Sequence, residues 1–214
     1  MKVFSWQIVG DRTVFFRREG SRRLFRGEMY EDHVDWHEER PIFKPVTQAC
    51  SLVFENTYYE IGGRLTRNGT RVKTTSFRRY VVDRFGPVGW EILNQLPIAL
   101  NKIQCTTMEE GIFVQGKDGD GEQRAVFWNG DTEEWKEVED TRIPDDAGQL
   151  LGSRSEIVAL GGKYEDGRYS DRIFVYKEVS EDESRWTNTN FYLESPAVGM
   201  ALDRASNNWV PECS

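Results

Sequence analysis

The chain has 214 residues, 13% of them aromatic, with 19 glycines and a formal net charge of −8, which is long enough for one substantial core. No apolar run approaches the roughly 18 residues of a membrane-spanning helix, and Met1-Lys-Val-Phe-Ser-Trp6 has no apolar stretch of signal-peptide length. The expected location is cytoplasmic, with no membrane contact, and three cysteines agree with a reducing compartment.

Taken in order, the chain is a series of short apolar runs separated by turn residues. Residues 1–44 read as a unit lacking its first strand. Trp6-Gln-Ile-Val-Gly10 is a second strand, Leu24-Phe25 a third and Val34-Asp-Trp36 a fourth, while Thr13-Val-Phe-Phe16 either extends the second or forms an extra turn. Residues 45–97 give the clearest unit. Ser51-Leu-Val-Phe-Glu55 and Tyr58-Tyr-Glu-Ile61 lead to Gly62-Gly63; after a polar loop come Phe77-Arg-Arg-Tyr-Val-Val-Asp83, Trp90-Glu-Ile-Leu93 and a closing Leu96-Pro97. Residues 98–144 repeat the plan with Cys105-Thr-Thr-Met108, Gly111-Ile-Phe-Val-Gln-Gly116, Ala125-Val-Phe-Trp128, Trp135-Lys-Glu-Val138 and Pro144. Residues 145–196 contain Glu156-Ile-Val-Ala-Leu-Gly-Gly162, Arg172-Ile-Phe-Val-Tyr176, Trp186 and Pro196, with the first two strands either fused or the first very short.

Trp36, Trp90, Trp135 and Trp186 recur at separations of 54, 45 and 51. Four strands per period near 50 is the spacing of a propeller blade. The apolar run ending in Gly-Gly, the aromatic third strand (Tyr80, Tyr176, with Trp128 or Phe127 in the middle copy), the Trp and the Leu-Pro together resemble the kelch repeat; Gln115-Gly116 departs from its double glycine. The resemblance implies an all-β, kelch-like β-propeller of about four blades of four-stranded antiparallel sheet. Residues 197–203 either close a small ring or begin the next blade of a larger propeller, of which this chain would be an open arc. Residues 204–214 form a polar tail. A β-sandwich with scattered tryptophans is the competing reading. In a blade both sheet faces are buried, so inner strands read as continuous apolar runs, as Ile112-Phe-Val114 and Ile157-Val-Ala-Leu160 do. Paired glycines allow positive φ and close packing, and each Trp is expected to be buried between blades.

Residues 1–105 carry 17 Lys and Arg against 12 Asp and Glu; residues 106–214 carry 11 against 24. Arginines gather at Arg17, Arg18, Arg22, Arg23 and Arg26, and cations again at Arg64, Arg67, Arg71, Lys73, Arg78 and Arg79. They are expected to be a solvated loop surface, and overall acidity argues against nucleic acid. In the kelch family the loops corresponding to 64–75, 117–123 and 163–170 contact partners. Arg64, Arg71 and Arg168 are therefore the candidate partner-binding residues, because a guanidinium can grip a carboxylate with two hydrogen bonds.

Other motifs carry less. Cys50 and Cys105 stand at equivalent places in successive copies and are expected to be small buried residues; Cys213 is incidental. Asn68-Gly-Thr70 is a glycosylation sequon with meaning only in a secreted chain. Lys117-Asp-Gly-Asp-Gly-Glu122 resembles a calcium loop superficially but reads as a hairpin turn. His33 and His37, about 13 Å apart on a strand, are too distant to share a metal, which also disfavours the copper-containing kelch-like oxidases. No nucleophile constellation emerges and no cofactor is expected. The expected role is a non-catalytic protein-interaction module of adaptor or scaffold type, with actin or a ubiquitin-ligase substrate as partners implied by the resemblance. Homo-oligomers could form through open blade edges. The alternative is a carbohydrate-binding or sugar-modifying propeller.

Overall fold

The computed structural model describes residues 4–9, 12–83, 86–139, 149–164, 166–180 and 183–193. Among these there are eighteen strands and no helix. The first sheet is β1 (Phe4–Val9), β2 (Thr13–Arg18), β3 (Leu24–Met29) and β4 (Val34–Glu38), each antiparallel to the next. The second comprises β5 (Cys50–Phe54), β6 (Thr57–Ile61), β9 (Phe77–Asp83) and β10 (Gly86–Ile92). A separate hairpin, β7 (Arg64–Arg67) and β8 (Thr70–Lys73), is inserted between β6 and β9. The third sheet is β11 (Asn101–Thr107), β12 (Gly111–Lys117), β13 (Gln123–Asn129) and β14 (Glu134–Val138). The fourth is β15 (Gln149–Gly152), β16 (Glu156–Lys163), β17 (Tyr169–Ser180) and β18 (Glu183–Tyr192). The first strands of successive sheets run side by side, β1 against β5, β5 against β11 and β11 against β15. This is a β-propeller arrangement of four blades.

One expectation is corrected and one choice is settled. The first blade has all four strands: the run through Trp6 is its first strand and Thr13–Arg18 its second. The signal was the alternation across Thr13-Val-Phe-Phe-Arg-Arg18, whose Phe15 is buried and whose Arg18 is exposed. In the fourth blade the first strand is separate and very short, four residues at Gln149–Gly152. Pro144, Cys213 and residues 197–203 and 204–214 lie outside the described residues.

Aromatic layers hold the blades together. Each outer-strand Trp faces the preceding blade, opposite a third-strand aromatic: Trp90 pairs with Tyr80, Trp135 with Trp128 and Trp186 with Tyr176. Phe15, Leu24, Tyr58, Tyr80 and Trp90 fill the gap between blades one and two. Between blades two and three lie Phe54, Tyr59, Phe77, Trp128 and Trp135. Phe113, Val138, Tyr176 and Trp186 occupy the gap between three and four. Trp36 holds the same outer-strand position but packs over Gly27 in place of an aromatic, edge-on to Phe16, and it is 53% exposed. Its burial was expected; it is solvated because, among the described residues, no blade covers that face of the first sheet. The described residues thus form an open arc, and the closing or next-blade strand expected at 197–203 lies outside them.

The paired glycines behave as the repeat requires. Gly62 and Gly63 have φ of 63° and 88°. A Cβ on Gly63 would lie 2.7 Å from the Thr47 carbonyl oxygen. Where the third blade has Gln115, the side chain is buried and its amide donates to Gln104 Oε1 at 2.9 Å, which satisfies the polar group the glycine would have spared.

Cys50 and Cys105 are not separate thiols; they are disulfide-bonded, with Cα atoms 6.0 Å apart. The cause is geometric. Equivalent positions on neighbouring first strands face each other near the propeller axis, within disulfide reach. The bridge links residues 55 apart in sequence, so its loss frees a long loop in the unfolded chain. Reduction is expected to lower stability by about 4 kcal/mol, read as a fall in the denaturant midpoint with reductant; an unchanged midpoint would show the bridge contributes nothing. At the next joint, a Cβ on Gly152 would sit 1.7 Å from the Thr107 carbonyl oxygen. Gly152→Ala should therefore push β15 off β11 and cost about 1–3 kcal/mol by overpacking, visible as a lower thermal midpoint.

Candidate functional site: a basic hairpin on a buried charged seam

Between the first two blades the apolar layer is interrupted by charge. Glu60, 1% exposed, receives Arg17 from the first blade and Arg78 from its own. Arg78 Nε donates to Glu60 Oε1 at 2.9 Å and Nη1 donates to the Lys44 carbonyl at 3.0 Å, while its guanidinium lies 5.4 Å from the centre of the Trp90 ring. Arg17 Nη1 donates to the Ser21 carbonyl at 3.2 Å. Glu39, also buried, accepts from Arg26 Nε at 2.7 Å and from the Tyr80 hydroxyl at 2.5 Å. Burial, and then the bond to Glu39, push the Tyr80 phenol well above its ordinary range.

Arg17, Arg26 and Arg78 are therefore not a solvated surface, contrary to expectation. A carboxylate sits between each and the neighbouring blade, and burial becomes possible because the charges are paired and hydrogen-bonded. The sequence held a signal for this, a single Glu60 in the otherwise apolar Tyr58-Tyr-Glu-Ile61. Arg23 and Arg79 do stay near the surface, paired with Glu38 at 2.6 Å and with Glu91 at 2.7 Å.

The seam roots the hairpin. Glu60 and Arg78 are cross-strand partners, and Ile61 and Phe77 close the ladder beyond them. From there the chain leaves the blade through Gly62-Gly63, with Gly62 N donating to the Ser76 carbonyl and Thr74 N to the Gly63 carbonyl. The loop expected at 64–75 is mostly strand. Asn68 and Gly69, with φ of 49° and 80°, make its two-residue turn, the Asn-Gly signature of a tight hairpin.

Arg64 and Arg71 fall on this one hairpin but differ in role. Arg64 is half-buried: its backbone pairs with Thr47 and its Nη2 donates to Asn101 Oδ1 at 2.7 Å on the third blade. It braces the hairpin and has little left for a partner. Lys73, across from it, donates to the Asp118 carbonyl at 3.1 Å. Arg71 is exposed, as is Arg67, which the sequence reading did not select. Among the described residues neither has a carboxylate partner, and residues 64–75 contain no acidic side chain. Arg168 stands apart in the turn between β16 and β17. It is 81% exposed but held by Asp166, whose backbone and side-chain bonds from Arg168 draw that carboxyl below its usual range. It lines a shallow cleft of about 300 Å³ with Tyr164, Tyr169, Ser170, Asp171 and Arg172.

The other candidates fold locally. Asp118 Oδ1 accepts the backbone N–H groups of Asp120 and Glu122 at 2.9 and 3.0 Å, making the hairpin turn read from sequence. His33 stacks on Tyr30 and pairs with Asp32 at 2.6 Å, while His37 lies on β4 opposite Arg26. Among the described residues no three His, Cys, Asp or Glu side chains gather as a metal site would need.

Comparison with known proteins defines the class through the fold. No family profile matches the chain, and no curated protein matches it by sequence. Among solved structures, that of YjhT is similar, with a TM-score of 0.73 and 13% identity over 92% of this chain and 67% of that one. The chain is a kelch-like β-propeller in fold; at that identity the likeness extends no further.

The seam yields a stability prediction. Glu60→Gln leaves two buried guanidinium groups without a counter-charge, and should cost about 3–5 kcal/mol in denaturant unfolding. A loss under about 1 kcal/mol would mean that water already screens the cluster.

Proposed function

We propose that the protein is a non-catalytic binding module whose β7–β8 hairpin grips an acidic segment of a protein partner. The observation that carries this reading is the pair Arg67 and Arg71, exposed and without a carboxylate neighbour among the described residues, on a hairpin braced to two blades. Long cations on a mobile loop lose much freedom when they bind. On a braced two-stranded support part of that cost is already met. Loops carried by a rigid scaffold are where recognition commonly sits, and guanidinium groups suit carboxylates.

A second reading, carbohydrate binding, is favoured by the cleft beside Arg168, where Tyr164 and Tyr169 supply ring faces next to Asp171 and Arg172. Aromatic surface with a few polar groups is suitable for a sugar.

The test is binding of a fluorescent poly-glutamate peptide to the full chain. Binding should weaken with salt. It should also weaken at least about tenfold in the Arg67→Glu/Arg71→Glu double variant, with the thermal midpoint unchanged because both residues are exposed. The double reversal Arg154→Glu/Lys136→Glu, at exposed positions away from the hairpin, makes the same change in net charge and should bind like wild type. Equal loss in both variants would leave only a general field effect and sink the hairpin reading. Glycan-array binding that survives the double variant would favour the cleft instead.

A further inference from the structure

Two features left unused by that reading point to the same compartment. The first is Asn68-Gly-Thr70, the one Asn-X-Ser/Thr triplet in the sequence with X other than Pro. It falls at the tip of β7–β8, where Asn68, Gly69 and Thr70 are all exposed and a Cβ on Gly69 would meet nothing within 4 Å. A two-residue turn standing off the blade is open to a modifying enzyme. The second is the Cys50–Cys105 bridge between first strands, since such bonds persist in oxidising compartments and are rare in the cytosol. The two are independent: one is a surface turn, the other joins inner strands of two blades.

We propose that the chain matures in an oxidising secretory compartment and carries an N-linked glycan on Asn68. In that step the Asn68 side-chain nitrogen bonds to the anomeric carbon of an oligosaccharide held on a lipid diphosphate. The carbon–oxygen bond to the diphosphate breaks, the lipid diphosphate leaves and the amide proton passes to solvent. In the same compartment Cys50 and Cys105 give up two protons and two electrons to a disulfide carrier. The glycan stands between Arg67 and Arg71 at the hairpin tip, so it narrows the approach to both cations and sets aside the cytoplasmic location expected from composition. The binding partner then belongs outside the cytosol.

The experiment takes the full chain from its own cells and digests it at glutamate, which isolates residues 61–91. Peptide N-glycosidase in heavy-oxygen water is then applied, with thiol alkylation before and after reduction. The expected result is loss of one glycan mass with a heavy oxygen appearing at Asn68, and Cys50 and Cys105 alkylated only after reduction. The isotope excludes deamidation of Asn-Gly that preceded the incubation, and the same incubation without the enzyme, which should leave the glycan mass in place, excludes deamidation during it. The Thr70→Ala variant, which keeps Asn68, should lack the glycan. An unmodified peptide overturns the proposal, whether or not the disulfide is formed, and so do cysteines that alkylate without reduction. Because the readout is mass, failure here is distinct from failure of peptide binding.

Discussion

A blade has two apolar faces and can bury neither alone. Everything else in this protein follows from that constraint. Each blade must meet a neighbour, and here the meeting is made by aromatic rings: an outer-strand Trp, the third-strand aromatic opposite it and a ring from the preceding blade. Tyr80 and Trp90 close on Phe15 and Tyr58; Trp128 and Trp135 close on Phe77 and Tyr59; Tyr176 and Trp186 close on Phe113. Rings of this size bury large areas and interlock in tilted and edge-on pairs, so spacing between blades is set by their thickness. The first blade places Trp36 at the same position but sets Gly27 opposite it, with Phe16 supplying the ring.

The joint between blades one and two adds something the others lack. Its outer part is aromatic, but Arg17, Glu60 and Arg78 cross it with two guanidinium groups on one carboxylate, and Arg26 and Tyr80 meet on Glu39. A buried ion cluster is seldom more stable than apolar packing of the same volume. What it supplies is register: sliding one sheet past the other would part Arg17 from Glu60 and Tyr80 from Glu39. That register fixes the Glu60–Arg78 rung, and the rung fixes the base from which the basic hairpin rises. The surface proposed to bind a partner is thus oriented from inside the protein.

Much of this was legible in the sequence. The four Trp residues marked the outer strand of every blade, the glycine pairs marked the exits of second strands, and Ile112-Phe-Val114 announced its own burial. Where reading failed, the cause was a property that lies between repeats. In the first blade the run ending at Gly10 reads as a second strand although it is the first, because β2 has no Gly-Gly at its end. Cys50 and Cys105 look like separate buried residues until neighbouring first strands are placed side by side. Glu60 in an apolar strand calls for a buried cation, but which arginines answer it is decided only by the sheet that packs against them. Of the three candidate contacts, Arg71 is exposed on the hairpin, Arg64 is engaged with the third blade, and Arg168 is tied to Asp166 in another turn. The Asn68-Gly69 turn was visible but was read only as a sequon, so a strand pair was taken for a loop.

The joint between the second and third blades is fastened at three levels. The cystine ties it at the axis, the Phe77–Trp128–Trp135 layer fills its body, and Arg64 and Lys73 reach across its upper rim. Among the described residues the flanking joints have no covalent tie. A pull on the rim by a partner would therefore reach the middle two blades as one covalently joined body. The hairpin is anchored on both of them, so the cystine holds together the two blades that its braces span.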